Sequence, residues 1–116
     1  MIKVGQQKPT KYWGTRTVKK VARIKEPIEC YNPIQGKVYF KPTIVQIEWE
    51  KPPSGDSNEF WFPYWMIVDG KEKYGQYAPM IGEKALLELL KDAIGQDFFS
   101  RDFLLDLNII ISQKLG

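Results

Sequence analysis

The chain has 116 residues, of which 43% are hydrophobic and 27% charged, a size and balance that fit one globular domain with its own core and exclude wholesale disorder. Its formal net charge of +3 conceals a lopsided distribution: residues 1–25 carry eight cations and no acid, leaving nine bases against fourteen acids in the remainder. With no histidine and a single cysteine, Cys30, histidine-based catalysis, an intrachain disulfide and the usual zinc ligand sets are all excluded.

In chain order, residues 1–16 contain Gly5, Pro9 and Gly14 and show no apolar period, so they read as an extended basic arm. Residues 17–26 read as an irregular strand, with Val18, Ala22 and Ile24 on one parity, interrupted by Lys20, and Val21 opposite. Residues 27–36 (Pro27, Asn32, Pro33, Gly36) read as turn chemistry. Val38 and Phe40 alternate with Lys37, Tyr39 and Lys41 in a short strand. A clearer one follows, in which Thr43, Val45, Ile47 and Trp49 oppose Gln46, Glu48 and Glu50. Residues 51–58 are a loop of prolines, Gly55 and small polar side chains.

Residues 60–68 (FWFPYWMIV) are apolar on both parities, so this strand is covered on both faces or presents one face to a partner. Pro63 cannot donate to a ladder and implies an edge or a bulge. Asp69-Gly70 is the pair favoured in a two-residue hairpin, which would set Trp65 opposite Tyr74 and Phe62 opposite Tyr77 in a returning strand over 71–78. Beyond Pro79, Leu86, Leu89, Leu90, Ala93 and Ile94 recur at helical spacing and predict an amphipathic helix ending at Gly95 as its C′ residue. Ser100 is the expected N-cap of a second helix with Asp102 in its first turn and a core stripe of Phe103 or Leu104, Leu107, Ile110 and Ile111. The β-branched run 109–111 leaves a final strand as the alternative for 103–113.

Strands first and helices last predict an α+β fold. The expectation is a single domain, 1–116, with an antiparallel meander of about four to five strands (17–78) after the arm (1–16), followed by two C-terminal helices (82–114) packed on one face. The opening residues lack an apolar leader core, and the run 60–68 is too short to span a bilayer, which needs about 20 residues. With one cysteine, a cytoplasmic setting is the expected location.

Few groups can carry chemistry. Cys30 has no identifiable base beside it, and its neighbour Glu29 is an acid rather than an activating cation. Glu48 and Glu50, with Tyr39, are the remaining acid/base candidates, and alternate strand carboxylates ordinarily form a solvated face. No catalytic group, metal site or cofactor is therefore expected, and the chain reads as a non-enzymatic binding module without a membrane role.

The leading expectation for that role is a protein-interaction surface, and the alternative is a nucleic-acid surface. Trp61, Tyr64, Trp65, Tyr74 and Tyr77 form an aromatic edge suited to a protein partner or to a second copy of the chain, because rings offer large area at low entropic cost. The arm interleaves Lys8, Lys11, Arg16, Lys19, Lys20 and Arg23 with Tyr12 and Trp13, the combination that binds single-stranded nucleic acid by phosphate neutralisation and base stacking. Against the second reading, residues 83–106 carry six acids able to neutralise the arm at home.

Overall fold

The computed structural model describes residues 2–34, 36–56, 58–75 and 80–116. Its elements are β1 (Gln7–Pro9), β2 (Thr15–Arg23), β3 (Ile28–Asn32), β4 (Gly36–Trp49), β5 (Glu59–Trp61), β6 (Tyr64–Val68), β7 (Lys71–Tyr74), α1 (Glu83–Gly95) and α2 (Arg101–Leu115). Every strand pair is antiparallel, and the sheet is an α+β layout with both helices after the last strand.

β4 organises the sheet. Where the alternation suggests two short strands, the chain forms one strand of 14 residues that pairs with four others. Its N-terminal half lies between β3 and β6, and its C-terminal half between β2 and β5. The changeover falls at Pro42, which has no N–H to donate, and at Pro63 on the facing chain. There the Thr43 N–H and hydroxyl both donate to the Pro63 carbonyl, at 3.0 and 2.8 Å. Proline thus divides the aromatic run into β5 and β6 without changing its register against β4.

Strand pairing fixes the course of the arm and corrects two local readings. The extended arm is held in place: β1 pairs with β2, and Ile2 is buried. Residues 27–36 are not all turn, since β3 forms a hairpin with β4 that closes at Asn32 opposite Gly36. In β2 the register shifts between Val18 and Lys20, so the extra residue reverses the parity beyond it. Val18 and Val21 consequently share a face, and Ala22 lies on the other.

The Asp69-Gly70 turn is as expected, with both residues in the left-handed region (φ 51° and 74°) and Trp65 paired with Tyr74. The expected Phe62–Tyr77 pair lies outside the described residues.

Two apolar clusters sit on opposite faces of β2 and β4. One joins Ala22 and Ile44 to Leu89 and Ala93 of α1 and to Phe98. The other joins Val18, Val21, Val45 and Ile47 to Trp65 and Ile2. α1 ends through Asp97, the left-handed residue (φ 60°), rather than through Gly95. Residues 103–113 are helical: the Ser100 hydroxyl accepts the Phe103 N–H at 3.2 Å, capping α2. Of the two helices only α1 lies against the sheet. α2 approaches neither the strands nor α1, and none of its residues is buried.

Candidate functional site

On the face opposite α1, a cleft of about 420 Å³ is lined by Val18, Trp61 and Trp65, by Ile2 and the segment Gln6–Lys8, and by Arg16. Local structure explains each contribution. Arg16 and Val18 point the same way from β2, before the bulge. Trp61 stands opposite Val45 on β5, and Trp65 follows four residues later on the same parity. Pairing of β1 with β2, Lys8 opposite Arg16, brings the arm to its rim.

Arg16 is the centre of the arrangement. Its guanidinium lies 4.9 Å from the Trp61 ring and 5.9 Å from that of Trp49, its cross-strand neighbour. From Trp49 the rings continue to Trp13 (6.1 Å) and Tyr12 (6.0 Å), whose ring also carries the Lys11 ammonium at 5.3 Å. From Trp61 they continue to Tyr74 (6.1 Å), which also touches Trp65 (5.9 Å). The result is a strip of six rings joined through one guanidinium, with Lys8 and Lys11 alongside.

The two predicted sets therefore meet on one surface, though neither survives whole. Trp61 and Tyr74 are accessible on the strip, with Tyr74 more than half exposed. Trp65 is buried beneath Ile2 and serves as floor. Tyr64 is buried on the other side of β6 against Phe40, and β6 is flanked by β4 and β7 rather than lying at an edge. Tyr77 lies outside the described residues. Of the cationic set, Lys8, Lys11, Tyr12, Trp13 and Arg16 belong to the strip. Lys19 is paired with Glu48 at 3.1 Å, Lys20 donates to the Asp97 carbonyl, and Arg23 donates to the Ile2 carbonyl. Sequence reasoning misses Trp49 as a site residue. Its period-2 pattern marks the buried face, and only the arm's position reveals that it bridges Trp13 and Arg16.

The helix acids do not neutralise the arm. Asp92 accepts the Arg23 backbone N–H at 2.9 Å and Glu88 that of Lys25 at 2.7 Å, so α1 caps the outer edge of β2 with its carboxylates. Among the described residues no carboxylate lines the cleft, and none pairs with Lys8, Lys11 or Arg16. The cleft end of the strip, around Arg16 and Lys8, is thus a positive surface faced with π systems, while Glu48 and Glu50 lie beside its Trp49 end.

The acid/base alternative finds no support in geometry. Glu48 and Glu50 line a neighbouring depression with Gln7, Thr15, Thr17 and Trp49. The hydrogen bonds that Glu50 accepts at Thr15 hold its carboxyl below the usual range, the wrong direction for a general acid. Tyr39 is remote, paired with Ile67. Cys30 is exposed on β3. Among the described residues, no group of three or more acidic, cysteine or histidine side chains could hold a metal ion, and no helix is long and apolar enough to cross a membrane.

Comparison of the chain with protein-family models, with curated proteins and with solved structures gives no match.

Proposed function

We propose that the protein is a non-enzymatic module that binds single-stranded nucleic acid along the ring strip. The observation that carries this reading is the placement of Arg16 between Trp49 and Trp61, with Lys8 and Lys11 near and no described acid in the cleft. Stacked rings recognise any base that is out of a duplex, and the interleaved cations meet the phosphates between bases. A protein partner, the other expectation, fits less well because Tyr64 and Trp65 are buried and much of the remaining ring area is cation-flanked. The single cysteine suits a reducing compartment, and a cytoplasmic location accords with this role.

Fluorescence anisotropy with labelled mixed-sequence DNA and RNA single strands tests it. With about three phosphates neutralised, affinity should fall roughly 18-fold between 50 and 200 mM salt. Trp61→Ala should weaken binding about 10- to 100-fold, the effect of removing one stacking platform. Arg16→Lys, which keeps the charge and loses the planar stack, should weaken it as well, but by less than Arg16→Ala. Absence of binding to any single strand at 20 mM salt, or equal binding by the wild-type and Trp61→Ala proteins, overturns the proposal.

A further inference from the structure

Both helices carry apolar surface that no other described residue covers. α1 buries Leu89 and Ala93 against the sheet, yet Leu86, Leu90 and Ile94, at successive four-residue steps, continue onto an adjoining flank with Leu87. Leu87 is 68% exposed. On α2, Phe103, Leu107, Ile110 and Ile111 fall on one side, and Ile110 is 62% exposed. A 15-residue helix with three consecutive isoleucines is marginal by itself, so its stability must come from packing. The natural seat for such a stripe is the flank of α1.

α2 does not reach that seat in its own chain. Phe98 is fully buried beside Ile44, and Phe99 stacks between Phe60 (5.1 Å) and Phe103 (4.9 Å). These anchors fix the start of α2, and the helix that Ser100 caps does not approach α1. The seat and the helix are complementary but separated, which is the condition for exchange between copies.

We infer that two copies of this chain associate by exchanging α2, each α2 seated on the Leu86–Leu90–Ile94 flank of the partner's α1. Charge supports this occupant. Lys84 and Lys91 border Leu87 on the outer edge of α1, and Asp102 and Asp106 border Phe103 and Ile110 on α2; all four are exposed, and none has a described ion pair. Area supports it too. The open apolar surface is roughly 350 Å² on the α2 stripe and 300 Å² on the α1 flank, so reciprocal exchange removes roughly 1,300 Å², within the range of stable interfaces. An α2–α2 pair alone would remove only about 700 Å², below that range. This surface is separate from the ring strip, and the inference does not depend on nucleic-acid binding.

Sedimentation equilibrium on the full chain at 1–100 µM should show a dimer. Leu87→Lys on α1 and Ile110→Lys on α2 should each weaken dimerisation at least 10-fold. Both positions are exposed, so the sheet should remain folded by near-ultraviolet circular dichroism. In a Cys30→Ser background, a protein carrying Leu87→Cys mixed with one carrying Ile110→Cys should give an intermolecular disulfide. A strict monomer at 100 µM overturns the inference, as does a dimer indifferent to Ile110→Lys. A dimer sensitive to Ile110→Lys but not to Leu87→Lys would mean α2–α2 pairing and would also overturn it. A disulfide formed within one chain in the double cysteine variant would show α2 folding back on its own α1, and exchange between copies would then be ruled out.

Discussion

The two faces of the β2–β4 sheet contain the same kinds of residue, aromatic and charged, with opposite outcomes. Under α1, Phe98 and Ala22 are fully buried, and the nearby carboxylates of Asp92 and Glu88 are engaged by backbone N–H groups. On the other face the rings of Trp13 and Tyr74 stay open and that of Trp61 is half-buried, and Lys8, Lys11 and Arg16 beside them have no described carboxylate partner. The difference teaches that a ring or a charge acquires its role from what lies across from it. A helix with acidic flanks closes one face and caps a strand edge, whereas a short arm without acids leaves the other face receptive.

The comparison breaks most decisively at Phe98. Phe98→Ala should cost about 3–5 kcal/mol in denaturant unfolding, because it empties the centre of the closed face. Arg16→Ala, on the open face, should change unfolding free energy by no more than about 0.5 kcal/mol while weakening single-strand binding. If the two variants prove equally destabilising, the faces are not distinct.

A smaller effect is expected where α1 caps the edge of β2. Asp92→Ala removes the acceptor of the Arg23 N–H and of the Gln96 side chain at 3.1 Å, and should cost about 1 kcal/mol, with faster amide exchange at Arg23. Binding to nucleic acid should not fall.

The smallest effect is one of pH. Lys41 lies 3.0 Å from Glu72 and holds its carboxyl below the ordinary value. Because the folded-state pKa is the lower one, the stabilisation is complete above the unfolded glutamate pKa of about 4.3 and is lost as pH falls through the folded value. Lys41→Met should flatten that part of the acid-unfolding curve, and unchanged acid unfolding would show that the ion pair contributes nothing there.

Much of the fold was legible locally. The Asp69-Gly70 hairpin and its Trp65–Tyr74 pairing, the Ser100 cap and the apolar period of α1 are all encoded by nearest neighbours, as is the order of strands before helices. The bulge in β2 was not, because an extra residue at Lys19 is visible only against β4. Nor was β3, whose turn-like residues pair only once β4 is in place. The site was half legible. Cations and rings could be named in two separate groups, but their convergence at Arg16 required β1 to fold onto β2, and Trp49 looked like any buried strand residue.

By itself the sequence determined what depends on short-range chemistry: an α+β chain with a basic beginning, a ring-rich middle and acidic helices, and no histidine with which to do catalysis. Only the tertiary structure decided which rings are floor and which are surface, and which acids are engaged at home. It also decided that α2 stands apart from the sheet its periodicity suggests it should cover. The reason is physical: hydrogen-bonded turns and caps are settled within a few residues, whereas burial and charge compensation depend on what distant segments bring across the gap.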